Sequence, residues 1–276
     1  MHLGSLYTAL ASFLDARQHQ GAWLLRIDDL DTPRNQPGAS DAILRCLDHF
    51  GLHWDGEVDY QSAHLDEYQA AVEALQRQDQ LYPCYCSRKQ LLEYPAIYPG
   101  FCRDQAKTVN QPHALRLRTT DSTMSFNDRL QGPIHSHLGR EHGDFVIKRK
   151  DNIYAYQLAV VIDDHRQQVN QVVRGFDLLD STPKQLYLQQ LLGYPSPAYL
   201  HIPVIVDQSG NKLSKQTRAE AVAQTRPAQV LLQLLNMLKQ QPPPALAAAS
   251  VAEILQWAIV HWQPASLQQQ SAVTVS

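Results

Sequence analysis

The chain has 276 residues, of which 44% are hydrophobic and 18% charged, with a formal net charge of −3 and a pI of about 6.4. This length is enough for one large domain or two modest ones with a buried core. The slight negative charge argues against a broad nucleic-acid-coating surface but allows a local basic patch. Because the sequence has neither an apolar run of 18 residues nor a basic segment followed by an apolar stretch at its start, we expect no membrane span, no signal peptide and a cytoplasmic location.

The first 80 residues follow an α/β pattern. Apolar spacing predicts helices over three segments, 5–20, 39–50 and 65–80. Gly21 and Gly51 are the expected stop signals after the first two helices. The run AWLLRI at 22–27 lies between Gly21 and a group of aspartates, and is predicted to be a buried strand.

The composition changes at Leu81. Residues 81–142 are rich in Cys, Tyr, Pro, His and Arg and have weak helical periodicity, which indicates an inserted small domain. The α/β pattern then resumes with apolar segments at 145–149, 155–162 and 171–173, a helix at 182–192 and a strand at 202–206. The expected organisation is a first half-fold at 1–80, an insert at 81–143, a second half-fold at 144–216, a helical segment at 217–262 and a disordered tail at 263–276.

Two short motifs are suited to binding a nucleotide. Residues 2–5 (HLGS) open a helix, whose N-terminal N–H groups and positive dipole end favour phosphate. Residues 212–215 (KLSK) follow a turn-forming segment and place two lysines where they can neutralise a leaving pyrophosphate. Taken singly, a histidine near a terminus and a solvated basic loop are the commoner explanations. Together, roughly 210 residues apart with α/β texture between them, they predict an ATP site that forms acyl-adenylates.

Three of the four cysteines are close in sequence. Cys84, Cys86 and Cys102 can supply three thiolates to a zinc ion, which prefers four tetrahedral ligands. Spacing leaves the fourth ligand open among Tyr98, His113, His135 and His137, and three reduced buried thiols are the alternative. Cys46 lies in a predicted helix on an apolar face and is expected to be a core residue.

Polar residues follow several of the apolar segments. Asp28, Asp29 and Asp31 follow the first predicted strand, where a carboxylate can meet a substrate ammonium, although capping and loop contacts explain such residues equally well. Arg174 follows the apolar segment 171–173, and an arginine in such a place suits bidentate pairing with a carboxylate substrate. Polar residues also flank the run 158–162: Tyr154, Tyr156, Gln157, Asp163, Asp164 and His165.

In these segments the chain resembles the class I aminoacyl-tRNA synthetases of the glutamyl type. Residues 2–5 resemble the HIGH motif of that family, and residues 212–216 (KLSKQ) resemble its KMSKS motif. Residues 26–34 (RIDDLDTPR) are similar to the segment R-[IF]-E-D-[IT]-D-x-x-R, and residues 155–164 and 173–177 to its glutamate and ATP segments. The resemblance implies a class I α/β fold with a Rossmann-like parallel sheet, an inserted zinc-containing subdomain and a C-terminal helical segment.

Three features resemble a shortened branch of that family that lacks the anticodon-binding domain. About 60 residues follow Lys215, and Ser5 stands where longer members have the second histidine of HIGH. The cysteines and Tyr98 match the type and spacing of that branch's zinc site, which implies Tyr98 as the fourth ligand.

The resemblance implies a two-step activity. Such enzymes activate glutamate with ATP, without needing tRNA, and transfer it to the queuosine base at the wobble position of tRNA(Asp). It implies that Asp28 binds the substrate ammonium, that Tyr156 and Arg174 hold glutamate, and that His2 and Lys215 stabilise the transition state at the α-phosphate. It further implies an ATP site of His2, Gly4, Lys212, Ser214 and Lys215, Mg²⁺ accompanying ATP, and one structural Zn²⁺ held by Cys84, Cys86, Tyr98 and Cys102.

The expected partners are glutamate, ATP and the anticodon arm of tRNA(Asp), bound by a monomer. Phosphates of that arm require local positive charge, which the insert carries as Arg88, Lys89, Arg103, Arg116 and Arg118.

The chain departs from the family pattern at two places. A strand resembling R-F-A-P-S-P-x-G precedes the HIGH motif in the family and is not in this sequence, so we expect codons for such a strand upstream of Met1. Asp28 stands where the family has Glu and is one methylene shorter, which lengthens or shifts an ammonium contact.

Two other functions fit the same residues. One is a truncated glutamyl-tRNA synthetase-like enzyme that charges tRNA at its 3′ end. The other is an inactive, zinc-stabilised RNA-binding protein, in which the missing strand has abolished catalysis.

Overall fold

The structure, a computed structural model, describes residues 1–94, 97–105, 111–210 and 226–274. The predicted lysine motif, with Lys212, Ser214 and Lys215, lies outside the described residues. Within the described ranges, every helix is too short or too polar to cross a membrane.

Helices account for much of the described chain. The α-helices are α1 (Leu3–Gln18), α2 (Ala39–His49), α3 (Leu65–Arg77), α4 (Arg88–Leu91), α5 (Tyr156–Arg166), α6 (Thr182–Leu192), α7 (Pro227–Met237) and α8 (Val251–His261). Short 3₁₀ segments lie at Thr32–Arg34, Gln61–His64, Phe176–Ser181, Pro244–Ala248 and Pro264–Leu267, and a π-helical turn lies at Leu138–His142.

The strands form several small sheets. They are β1 (Arg26–Ile27), β2 (Asp59–Tyr60), β3 (Leu81–Cys84), β4 (Ala114–Leu117), β5 (Thr123–Asp128), β6 (Gly132–His137), β7 (Phe145–Lys148), β8 (Gln171–Gly175), β9 (Ala198–Ile202), β10 (Val204–Val206) and β11 (Ala272–Thr274). The pairs β1–β2, β8–β9 and β10–β11 are parallel, whereas β3–β4–β7 and β5–β6 are antiparallel. The expected parallel sheet is therefore present as separate parallel pairs.

Most predicted helices are found, with shifted ends. The helix α6 has the predicted bounds, 182–192, but α1 ends at Gln18, before the predicted end at residue 20. The left-handed residue after α1 is Gln20, with φ 56°, so the predicted stop at Gly21 is wrong. Gly51 does end α2 in the left-handed region, with φ 68°. A Cβ at Gly51 would lie 3.0 Å from a Val251 methyl, so glycine also allows α8 to pack closely there.

The apolar segment 155–162 belongs to a helix. It forms most of α5, in which Leu158, Ala159, Val160, Val161 and Ile162 are all buried. A short run that is apolar on every side fits either a buried strand or a buried helix, and periodicity alone does not separate them.

Three predicted extended or disordered segments also differ from the structure. Only Arg26 and Ile27 of the segment 22–27 form a strand, and Leu24 is 40% exposed beside the cleft described below. The segment 202–206 is interrupted at Pro203, which has no N–H to donate to a neighbouring strand. The tail at 263–276 is predicted to be disordered, but its described part, residues 263–274, is ordered, because Leu267 is fully buried and β11 pairs with β10.

The described side chains form two large apolar cores. One combines α1 and α2 with β9, β10, α7 and α8, so the C-terminal helices pack directly on the first helix. The other combines α3, α5 and α6 with β3, β4 and β7. Strand β7 lies just beyond the predicted boundary at 143, and it pairs with β4 of the predicted insert. One sheet therefore joins the predicted insert to the predicted second half-fold.

A buried carboxylate connects distant segments of the chain. Asp15 on α1 is 1% exposed and accepts hydrogen bonds from both terminal nitrogens of Arg129, at 2.7 and 3.0 Å. It also accepts from the indole Nε1 of Trp262 at 3.1 Å. Removing one partner from such a network leaves the others buried without a counterpart.

We therefore expect Asp15→Ala to lower the free energy of unfolding by about 3 kcal/mol, measured by urea denaturation. Asp180→Ala is the matched control, since Asp180 is 78% exposed, its ion pair with Lys184 is worth less than about 1 kcal/mol, and its other ionic contact, with His142, is long at 3.7 Å. Equal effects of the two substitutions would contradict this account of the fold.

Candidate active site

A cleft of about 680 Å³ opens between the first turns of α1, the segment 23–28, α5 and β8. The predicted ATP and glutamate residues that the structure describes all line it: His2, Gly4, Asp28, Tyr156 and Arg174. A cavity of about 780 Å³ lies elsewhere, between α7 and β11, and among the described residues that line it only Lys239 is charged. The cleft, with its histidine, aspartates and arginines, is therefore the candidate active site.

The N-terminus of α1 faces this cleft. His2 is the N-cap residue, and its Nδ1 accepts a hydrogen bond from the backbone N–H of Ser5 at 3.1 Å. The Ser5 hydroxyl lies 2.9 Å from the other ring nitrogen, Nε2. The imidazole is thus fixed over the first turn of a 16-residue helix, where the helix dipole favours an anion.

Arg26 organises the acidic side of the cleft. It donates from Nη1 to Asp164 on α5 at 3.0 Å and to Gln167 at 2.7 Å. Its Nε lies 3.4 Å from an Asp28 carboxylate oxygen and 3.7 Å from Asp163. One guanidinium therefore faces three carboxylates, and excess negative charge remains on this wall.

Burial changes the protonation behaviour of two of these acids. Burial in the cleft raises the pKa of Asp28, and Asp163 and Asp29 add to this, while Arg26 opposes it. Burial likewise raises the pKa of Asp164 against the opposing effect of Arg26. The Asp28 side chain is still 49% exposed, so it remains accessible to a ligand. Each carboxylate would be stabilised by a further cation.

Arg174 lines the same cleft as the acidic residues, supplies positive charge there and is 7% exposed. Its Nη2 donates to Thr182 and to Gln185, both at 2.8 Å, and its Nε donates to His201 at 3.0 Å. Its Nη1 lies 3.5 Å from the Tyr156 hydroxyl, a long contact. The guanidinium is thus held on one edge, while the Nη1 edge is directed towards the cleft.

The neighbouring aspartates have structural partners. Asp29 accepts from the Ser62 backbone N–H at 2.8 Å, and Asp31 pairs with Arg34 and Arg149. These two aspartates therefore make the loop contacts that were the structural alternative to substrate binding. Asp163 is completely buried and accepts from Gln61, Tyr68 and Arg166.

Three thiols converge in the insert. The sulfur atoms of Cys84, Cys86 and Cys102 all lie within 4.8 Å of one another, and the last two are 3.6 Å apart. The Tyr98 hydroxyl is 3.5 Å from the sulfur atoms of both Cys84 and Cys86. Three sulfurs and one oxygen at these separations fit the edges of a tetrahedron with zinc–sulfur bonds of about 2.3 Å.

The histidines considered as fourth ligands lie in other contacts. His113 packs against Tyr85, His135 lies 2.8 Å from the Ser125 hydroxyl, and His137 pairs with Asp121. Cys46 is 1% exposed in the first core, as expected.

Part of the predicted basic surface of the insert is unavailable to RNA. Arg116 is 8% exposed, because its guanidinium stacks 3.8 Å from the Tyr98 ring centroid. Arg103 pairs with the buried Asp144 at 2.7 Å. Arg116 is therefore withdrawn from the surface that could meet phosphate, whereas Arg103 keeps 36% of its side chain exposed. Arg88 and Lys89 on α4 are also exposed.

Sequence reasoning assigned no role to three residues around the cleft. Arg26 and Asp164 lie within the family-like segments 26–34 and 155–164, so their place in these motifs could have indicated a role in the site. His201 lies in no motif, and its contact with Arg174 depends on the parallel register of β8 and β9.

Comparison with known proteins places the chain in a family. A model of the family described as tRNA synthetases class I (E and Q), catalytic domain, matches residues 1–97 and 101–234. The chain is 52% identical over 273 residues to a protein of Pseudomonas entomophila named glutamyl-Q tRNA(Asp) synthetase, covering 99% of this chain and 92% of that protein. It is 52% identical over 262 residues to the Pseudomonas aeruginosa protein of the same name, covering 95% and 89% of the two chains.

Solved structures support the same fold. A glutamate tRNA ligase from Elizabethkingia meningosepticum, solved with its amino acid, superposes with a TM-score of 0.80 at 22% identity. The match covers all of this chain and 64% of that ligase, so the chain spans less than two thirds of its length. The chain has the class I synthetase α/β fold, and it belongs to the glutamyl-Q tRNA(Asp) synthetase family, ligases of the aminoacyl-tRNA synthetase type.

Proposed function

We propose that this chain activates glutamate with ATP as glutamyl-adenylate and then transfers the glutamyl group from the adenylate to queuosine in tRNA(Asp), with AMP as the leaving group. One observation carries the first step: the cleft combines an acidic wall at Asp28 and Asp164, a guanidinium at Arg174 and the N-terminus of α1. These features complement an ammonium, a carboxylate and a phosphate, the three charged groups that glutamate and ATP bring together.

The acidic wall selects the ammonium of the substrate. Asp28 and Asp164 both pair with Arg26, and Arg174 adds a weaker attraction to Asp164, but desolvation in the cleft still raises the pKa of each carboxyl. A bound ammonium supplies the missing positive charge and restores the ordinary preference for ionised carboxylates. Asp28 is the more exposed of the two and is therefore the residue that contacts the ammonium.

Arg174 is then assigned to the side-chain carboxylate of glutamate. The α-carboxylate is the nucleophile and must face ATP, and the ammonium faces Asp28, so the side-chain carboxylate remains. Arg174 presents its Nη1 edge beside Tyr156, where both can donate to carboxylate oxygens. A cationic partner favours glutamate over neutral glutamine.

The adenylation step needs positioning and charge neutralisation. An α-carboxylate oxygen attacks the α-phosphorus, the bond from that phosphorus to the oxygen bridging to the β-phosphate breaks, and pyrophosphate leaves. Nδ1 of His2 accepts from the Ser5 N–H, so the N–H of the neutral ring is at Nε2. That N–H can donate to an α-phosphate oxygen, in place of its contact with the Ser5 hydroxyl, as charge builds there. Mg²⁺ accompanies ATP, and Lys212, Ser214 and Lys215 complete the proposed ATP site.

The transfer step is proposed from the relatives. Two proteins 52% identical to this chain are named for glutamyl-Q and tRNA(Asp). The exposed Arg88 and Lys89 on α4 supply positive charge for the RNA backbone.

Zinc is proposed to stabilise the insert. The four candidate ligands, Cys84, Cys86, Tyr98 and Cys102, match its preference for sulfur and tetrahedral geometry. When bound, the ion supplies structural cross-linking between the segments 84–86 and 98–102.

The first prediction from the proposed function concerns Arg174. The unaltered protein should catalyse glutamate-dependent ATP–pyrophosphate exchange without tRNA. Arg174→Gln should lower kcat/KM for glutamate at least about 100-fold, because a desolvated charge partner of the carboxylate is lost. Arg140→Gln is the matched control, since Arg140 is 74% exposed, and it should leave the exchange unchanged. Glutamate-dependent exchange that survives Arg174→Gln would contradict the assignment.

The second prediction concerns zinc. Cys102→Ser should release the metal and destabilise the insert, because structural zinc contributes directly to folding. Cys46→Ser is the control, because Cys46 is a buried thiol of the first apolar core, away from the three clustered cysteines. Its metal content, measured by mass spectrometry, should stay unchanged. Full zinc content in the Cys102 variant would overturn the proposed site.

The third prediction separates the proposed transfer from 3′-end charging. Radiolabelled glutamate should be accepted by tRNA(Asp) that contains queuosine and not by the same tRNA lacking it. Acceptance regardless of queuosine would favour a truncated charging enzyme. Glutamate-dependent ATP–pyrophosphate exchange is expected of both enzymes, and its absence would favour an inactive RNA-binding protein.

A further inference from the structure

A buried chain of hydrogen bonds runs from the β5–β6 hairpin to Arg174. Asp128, at the end of β5, is 1% exposed, and its Oδ1 accepts from the backbone N–H groups of Leu130 and Gln131 at 2.9 and 2.8 Å. Its Oδ2 lies 2.6 Å from Nδ1 of His201, which is fully buried on β9. The carboxylate is thus fixed by the turn before it meets the imidazole.

The other ring nitrogen of His201 faces donors. The Nε of Arg174 donates to His201 Nε2 at 3.0 Å, and the Thr182 hydroxyl lies 3.2 Å from the same atom. Arg174 has no lone pair to offer, so this nitrogen must be the acceptor. The proton of a neutral His201 therefore resides on Nδ1, directed at Asp128.

The surroundings keep the imidazole neutral. Burial, together with repulsion from Arg174, lowers the pKa of His201, and the hydrogen bond to Asp128 offsets only part of this. Burial by itself would raise the pKa of Asp128, but hydrogen bonds from His201, Gln131 and Leu130 outweigh it and keep the carboxyl ionised. An anion that fixes one tautomer of a neutral histidine is a recurrent way of orienting that side chain.

We propose that Asp128 and His201 are positioning residues for substrate recognition. Asp128 fixes the Nδ1–H tautomer of His201, and Nε2 of His201 then accepts from the Arg174 guanidinium. This contact keeps the Nη1 edge of Arg174 directed at the side-chain carboxylate of glutamate. This inference rests on the proposed function, in which Arg174 binds that carboxylate. It predicts that a residue without substrate contact sets the affinity for glutamate.

The test is Asp128→Asn, which is isosteric. The amide oxygen can still accept from Leu130 and Gln131 and, as Oδ1 does at 3.3 Å, from the His201 backbone N–H. The amide nitrogen replaces Oδ2, which faces His201 Nδ1 and also accepts from that backbone N–H at 3.1 Å. That nitrogen donates, so the imidazole proton moves to Nε2 and opposes the N–H of Arg174. In ATP–pyrophosphate exchange, KM for glutamate should rise at least about tenfold, while KM for ATP should change less than about twofold.

Two further measurements separate positioning from loss of stability. Tyr187→Phe removes a buried hydroxyl from α6, the helix that also carries Thr182 and Gln185, and should leave KM for glutamate unchanged. ¹⁵N NMR of the unaltered protein reports the tautomer of His201 directly, whether or not the Asn variant folds. The Nδ1–H form is the expected result, and the Nε2–H form would overturn the inference.

The outcomes also separate this inference from the function on which it rests. If the unaltered protein showed no glutamate-dependent exchange, both would fail. If exchange were lost in Arg174→Gln but KM for glutamate were unchanged in a folded Asp128→Asn protein, the inference alone would fail. An equal rise of KM in Tyr187→Phe would also overturn it, since general loosening of α6 would then explain the effect.

Discussion

The cleft depends on the half-buried guanidinium of Arg26. It comes from the first half of the chain, on β1, and reaches Asp164 on α5 of the second half at 3.0 Å, so it joins the two walls that a ligand must touch. Leaving one member of such a network without its partner would cost several kcal/mol, which explains why the walls stay together. The same pairing leaves more carboxylates than cations at Asp28 and Asp164. The interaction that closes the fold therefore also creates the charge that selects an ammonium.

Much of the site was predictable because its residues belong to local motifs. His2 owes its position to the helix that follows it, and Asp28 to the strand that it ends. The three thiols are similarly close in sequence. By contrast, Asp128 and His201 are 73 residues apart and meet only because β5 packs beside β9. No spacing in the sequence indicates that contact. The hydrogen bonds from Asp128 through His201 to Arg174 therefore could not be predicted and are seen only in the structure.

The differences in the fold have similar causes. The apolar run 155–162 is buried on all sides, which removes the alternation that separates a helix from a strand. The tail was expected to be disordered from its Gln- and Ser-rich composition, yet it is held by one buried leucine, Leu267, and by pairing of β11 with β10. Helix ends depended on a single left-handed residue, and at Gln20 that residue was not a glycine. Tertiary contacts override local composition in the tail, whereas the other two differences come from sequence patterns that fit more than one local structure.

The central claim is that one cleft holds glutamate and ATP in reacting geometry. A crystal structure of the protein with a non-hydrolysable glutamyl-adenylate analogue, such as the glutamyl sulfamoyl adenosine, tests this most directly. We expect the ammonium at hydrogen-bond distance from Asp28, the side-chain carboxylate on Nη1 of Arg174, and the sulfamoyl group at the N-terminus of α1. An analogue bound outside the cleft, or with its carboxylate at Asp28 and its ammonium at Arg174, would contradict the account.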